Sequence, residues 1–163
     1  VRVVVVERGV DVSPTMVERA RELVTAPGVR FELGDGATLR QVATGSADLV
    51  LTFTVLQHIP DERLIVGYLH EAARVLRPGG VLVAQWNGMD GRRRWALRRA
   101  LLSSPLGRVR PGDDPCGREV AEFLGSRVPV SRMRAHVERA GLEVVEVRGG
   151  GTLFSWLWAR RPG

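Results

Sequence analysis

An α/β fold with a mostly parallel sheet, flanked by helices and closing on an antiparallel hairpin, is predicted for this 163-residue chain. Three observations predict it. Short β-branched or apolar runs alternate with segments of helical spacing from residue 3 to residue 86. Links between them are short, which favours right-handed crossovers between parallel strands. Near the end, two apolar runs flank Arg148-Gly149-Gly150-Gly151-Thr152, a connection short enough to demand a hairpin.

Taken in order, Val3–Val6 and Val10–Val12 read as strand, interrupted by Glu7-Arg8-Gly9. Ser13 caps a helix that begins at Pro14, a position proline favours, and Met16, Val17, Ala20, Leu23 and Val24 supply its apolar stripe. Pro27-Gly28 stops it. Val29–Leu33 is a strand ending at Gly34-Asp35-Gly36, and a weak helix is expected over Leu39–Ala43. Ala47–Phe53 is nearly continuous in apolar residues, as in a strand buried on both faces. Asp61 caps the next helix, with Leu64, Ile65, Tyr68, Leu69, Ala72, Ala73 and Leu76 as its stripe. Arg77 is expected in its last turn and Pro78-Gly79-Gly80 as its stop. Val81–Trp86 is strand, Ser131–Ala140 helix, and Leu142–Val147 and Leu153–Trp158 the closing strands. Phe154, Trp156 and Trp158 share one face of the last strand by period-two spacing, expected to pack under helices.

Composition narrows the class. One domain over 1–163 is the expectation from length. No apolar run is long enough to cross a membrane as a helix, and the single Cys116 excludes an internal disulfide, so a cytoplasmic setting is expected. All 24 basic residues are arginine, and the net charge is +6. The charge is uneven: residues 1–90 are slightly acidic and residues 91–163 strongly basic. Residues 87–130, with Arg92, Arg93, Arg94, Arg98, Arg99, Arg108 and Arg110, read as an inserted lid or substrate segment. Trp95, Leu97, Leu101 and Leu102 interleave with these arginines, so an amphipathic cover is favoured over a nucleic-acid surface.

The chemistry concentrates where apolar runs meet polar turns, which is where open α/β sheets bind ligands. Asp11, at a strand end, can accept both hydroxyl protons of a ribose. Asp35, in a glycine-flanked turn, can take an exocyclic adenine N–H, with Gly36 allowing close backbone approach. Phe53 and Thr54 leave the third strand. His58, close to that exit, could be a general base or a residue that orients the loop, and the second reading is favoured. His70 reads as structural and His136 as exposed. Three histidines so scattered, with one cysteine, have no metal-ligand spacing.

In order and spacing these pieces resemble the class I S-adenosylmethionine (SAM)-dependent methyltransferases. Asp11-Val12-Ser13-Pro14, Gly34-Asp35-Gly36-Ala37, the stretch from Asp48 through Val55-Leu56-Gln57-His58 to Pro60-Asp61, Arg74-Val75-Leu76-Arg77-Pro78-Gly79-Gly80 and Ala140-Gly141-Leu142-Glu143 each match a part of the family's pattern. The resemblance implies a Rossmann-like sheet with helices on both faces and SAM as cofactor. Asp11 and Val12 would lie at its ribose, Asp35, Gly36 and Ala37 at its adenine, and Phe53 and Thr54 under its reacting end. A small-molecule O, N or C acceptor would take the methyl group; oligomeric state is left open. The family begins with a strand and a Gly-x-Gly-x-Gly loop, and residues 1–10 hold only Gly9. An N-terminally incomplete fold is therefore expected, with weak or absent SAM binding. The alternative reading is a non-catalytic interaction or nucleic-acid-binding module that uses the basic second half.

Overall fold

A computed structural model describes residues 7–89 and 125–163. Among the described residues, six strands and three helices run in the order β1 (Glu7–Asp11), α1 (Pro14–Leu23), β2 (Val29–Leu33), β3 (Ala47–Thr52), α2 (Glu62–Val75), β4 (Leu76–Trp86), α3 (Val130–Arg139), β5 (Glu143–Arg148) and β6 (Ser155–Arg160). A single 3₁₀ turn, Leu56–His58, follows β3. The α/β class is as predicted, and so are both kinds of strand pairing. β1 pairs β2 and β3 pairs β4 in parallel; β6 pairs both β4 and β5 antiparallel. Among the described residues the strands form two sheets, β1–β2 and β3–β4–β6–β5. β1 and β3 do not pair with each other, so each presents one edge without a described neighbour.

Local chemistry sets the helix starts. The Ser13 side chain accepts the Met16 N–H at 3.3 Å, with Pro14 in the first turn. The Asp61 carboxylate accepts the Arg63 N–H at 2.8 Å. Both caps satisfy donors that the first turn leaves over. The core lies on one face of the four-stranded sheet. Ile65, Leu69 and Ala72 of α2 and Met133 and Val137 of α3 pack on Leu82, Ala84 and Trp86 of β4 and Leu157 and Ala159 of β6. Trp86 is fully buried and donates its indole N–H to Val128 O at 2.8 Å.

Several expectations are corrected. Glu7-Arg8-Gly9 is not an interruption but the body of β1. Gly9 lies opposite Phe31 in the register, and a Cβ there would stand 2.7 Å from the Phe31 ring, so the glycine makes room for the aromatic. Val3–Val6 lie outside the described residues. Leu39–Ala43 is not a helix but a turn closed by Val42 N–H to Leu39 O at 2.8 Å. Arg74, not Arg77, occupies the last turn of α2, because the chain already turns extended at Leu76; Arg77 instead pairs with Asp48. β3 is not buried on both faces: Val50 packs against the core, whereas Leu49 and Leu51 are 55% and 61% exposed. The last strand starts at Ser155, so Phe154 precedes it and is exposed. Trp156 and Trp158 lie opposite the helix-packed face and stack on each other, centroids 6.1 Å apart. His136 is buried rather than exposed, between Glu62 of α2, at 2.7 Å, and Arg139, at 2.8 Å. The arginine-rich stretch and nearly all of the expected 87–130 insertion fall outside the described residues.

Candidate cofactor site at the strand exits

The β1–β2 register sets Asp11 opposite Leu33, so the two acid-bearing exits stand side by side. Gly34 N–H donates to Asp11 O at 2.8 Å and ties them. Asp11 Oδ1 accepts the Ser13 N–H at 2.8 Å, which orients the exposed carboxylate. Gly36 has φ +77, a conformation glycine adopts without strain, and a Cβ there would lie 3.2 Å from Val12 Cγ1. Asp11, Val12, Asp35, Gly36 and Ala37 are therefore brought together.

Asp35 is held by its own turn. Oδ1 accepts the Ala37 and Thr38 N–H groups at 3.0 and 2.7 Å, and Oδ2 accepts the Thr38 hydroxyl at 2.7 Å. These bonds, the Thr38 hydroxyl foremost, hold its carboxyl far below the usual range, so it remains an anion. Its charge reaches α2: burial first, then Asp35, raises the Tyr68 phenol. Glu71 and Arg74 of α2 anchor the loop that follows. Glu71 accepts the Leu39 N–H at 2.7 Å, and Arg74 donates to Leu39 O and Val42 O at 2.9 and 3.1 Å. The Arg74 guanidinium is the first cause of a lowered Glu71 carboxyl.

The second group forms at the exit of β3. Phe53 stacks on Trp156, centroids 5.5 Å apart. Thr54 has φ +58, the one non-glycine residue at positive φ among those described. For a β-branched residue this is a true outlier, costing about 1–3 kcal/mol. Gln85 of β4, fully buried, accepts the Thr54 N–H at 2.9 Å and donates to Gln57 and to Leu153 O at 2.7 and 3.1 Å. Gln57 meets His58 Nε2 at 3.0 Å. His58 is exposed and beside the exit. Sequence reasoning missed Gln85; a lone polar residue in the apolar run 81–86 was the available signal.

The residues fit an adenosine-bearing cofactor. Asp11 offers an exposed, oriented carboxylate, and Gly36 lets the backbone come close. Two buried polar atoms at the exits, Thr52 Oγ1 and Asn87 Nδ2, have no hydrogen-bond partner in the described structure. A hollow between α1 and β2, lined by Arg21, Val24 and Phe31, contains none of these groups. Among the described residues no three His, Cys, Asp or Glu gather as a metal site, and no helix is long and apolar enough to cross a membrane.

Comparison with known proteins identifies the family. The profile of a family described as a methyltransferase domain matches residues 4–84. The chain is 39% identical over 87 residues to 2-methyl-6-phytyl-1,4-hydroquinone methyltransferase of Synechocystis, covering 52% of this chain and 26% of that protein. It is 33% identical over 140 residues to 27-O-demethylrifamycin SV methyltransferase of Amycolatopsis mediterranei, covering 83% of this chain and 44% of that protein. The chain thus spans less than half the length of these curated relatives. A crystal structure of a SAM-dependent methyltransferase from Methanosarcina mazei superposes with a TM-score of 0.68 at 19% identity, covering 95% of this chain and 81% of that one. Family profile and fold agree: the chain belongs to the class I SAM-dependent methyltransferases, with S-adenosylmethionine as their cofactor.

Proposed function

We propose that this chain forms the core of a methyltransferase that moves the SAM methyl group to an oxygen, nitrogen or carbon atom of a small molecule. The observation that carries this reading is the pair of acid-bearing turns set side by side by the β1–β2 register, with Asp11 oriented by Ser13. Asp11 holds the ribose hydroxyls, with Val12 beside them. The Asp35 turn, with Gly36 and Ala37, meets the adenine edge; Oδ2 keeps a lone pair beyond its bond to Thr38. Phe53 and Thr54 border the reacting end.

SAM supplies an electrophilic methyl carbon. Bound there, SAM would supply this methyl group for transfer and leave as the S-adenosylhomocysteine thioether, while Asp11, the Asp35 turn and the Phe53–Thr54 exit would hold it. The protein's part is alignment and exclusion of water, which can supply most of the rate without acid–base help. His58 orients the loop after β3, with general-base work as its alternative role. A small-molecule acceptor is supported by the names of the curated relatives, and the lone Cys116 supports a cytoplasmic setting.

Calorimetric titration with S-adenosylhomocysteine tests the site. Binding is expected to weaken at least tenfold in Asp11→Ala; affinity that survives the substitution defeats the ribose assignment.

A further inference from the structure

The strained Thr54 turn and the buried Gln85 amide form one hydrogen-bonded chain whose direction is fixed. Asn and Gln amides can usually be drawn either way round, and a histidine proton on either nitrogen. Here two groups that cannot flip settle the matter. The Thr54 N–H is a donor and Leu153 O an acceptor, so Gln85 must turn its oxygen to Thr54 and its nitrogen to Leu153. That nitrogen also donates to Gln57 Oε1. The Gln57 nitrogen is thereby left to donate to His58 Nε2, which must be bare, with the ring proton on Nδ1.

We propose that Gln85 is the positioning residue of the β3 exit: it holds Thr54 at positive φ and, through Gln57, sets the proton of His58 on Nδ1. Its value to the site rests on the reading of Phe53–Thr54 as cofactor-facing. Gln85 is fully buried, so its amide must be bonded on both sides, and its partners are the strained residue and the glutamine beside His58. Strain of this kind persists only where the surroundings enforce it, and Gln85 is the side chain that bonds the Thr54 backbone. Thr54 in turn donates its hydroxyl to Phe53 O at 2.7 Å, while the Phe53 ring lies on Trp156. One buried amide thus fixes the backbone at the exit, the aromatic next to it and the tautomer of the nearest histidine.

The test uses the full chain, isotope-labelled, with three readouts: hydrogen exchange at the Thr54 amide, the nitrogen resonances of the His58 ring where it is neutral, and the Trp156 indole resonance. In the parent protein the Thr54 amide is protected and His58 carries its proton on Nδ1. An Nε2-protonated ring in the parent overturns the relay before any substitution is made. Gln57→Leu is expected to leave Thr54 protection unchanged and to shift the His58 ring-nitrogen resonances. Gln85→Leu is expected to lower Thr54 protection at least tenfold and to shift the His58 ring-nitrogen and Trp156 resonances. Adding Thr54→Gly to Gln85→Leu removes the strain and is expected to restore the Trp156 resonance. Unchanged Thr54 protection in Gln85→Leu, or no rescue by Thr54→Gly, overturns the positioning role. If Gln85→Leu does not fold, the parent ring and Gln57→Leu still decide the relay. A parent that does not bind S-adenosylhomocysteine defeats the proposed cofactor site and leaves these readings in force.

Discussion

The β1–α1–β2 unit and the four-stranded unit with α2 and α3, each proposed to carry half of one site, are built on different physical terms. In the four-stranded unit, fifteen buried residues form one cluster, and Ile65, Trp86, Val128, Val137, Leu157 and Ala159 are wholly inaccessible. In residues 7–46 only Val17 is buried. The unit that bears Asp11 and Asp35 thus relies on local bonds: the Ser13 cap, the Asp35 turn, the Gly9–Phe31 approach and the Glu71–Arg74 anchor on its following loop. Leu33, Leu49, Leu51 and Phe53 are left exposed at β2 and β3. The contrast teaches that the shape of the Asp11 and Asp35 turns is encoded locally, while few contacts among the described residues hold them in place. Exchange and denaturation should therefore separate the two units.

The largest effect is expected at Trp86. Trp86→Ala removes a wholly buried ring and its bond to Val128 O, and should lower stability by about 3–5 kcal/mol in chemical denaturation. Val17→Ala deletes the one buried side chain of the other unit. It should cost about 2 kcal/mol at most and raise amide exchange in β1 and β2, leaving β4 and β6 slow. Equal acceleration in both units would show that they unfold together and break the comparison.

A smaller effect is expected from the anchor between the units. Arg74→Met removes the donors to Leu39 O and Val42 O and should speed exchange across residues 39–44 with little change in the core. The anchor is also pH-dependent. Because Arg74 holds the Glu71 carboxyl below its ordinary value, the folded state binds that proton more weakly than the unfolded one. Its contribution is present in full above the ordinary glutamate range and is lost as pH falls through the depressed folded value. Protection of the Leu39 amide should fall on acidification accordingly, and Arg74→Met should abolish most of that dependence. The smallest effect belongs to Arg77→Ala: its pair with Asp48 is exposed on both sides, so stability should change by less than about 1 kcal/mol.

What could be read from sequence follows the range of the interactions. Ser13-Pro14 and Asp61 announce their helices because a cap and its donor lie within three residues of each other. The Asp35 turn is equally local. Gly9 misled, because its reason is the Phe31 ring on another strand. The burial of His136 was not legible, because Glu62 lies 74 residues away along the chain. Gln85 escaped for the same cause, its bond to Thr54 spanning 31 residues. Sequence patterning also could not show that β3 meets described neighbours on one side only, since an apolar run reads the same whether or not both faces are covered.

The central claim is that the exits of β1, β2 and β3 form the adenosine-facing part of a methyl-donor site. Mapping amide shifts of the full chain during titration with S-adenosylhomocysteine tests it most directly, and it registers weak binding as well as tight. Shifts are predicted at residues 11–12, 35–38 and 53–54, and are predicted to vanish in Asp11→Ala while the spectrum otherwise stays that of the folded protein. Shifts confined to other residues, or unchanged by Asp11→Ala, would contradict the account.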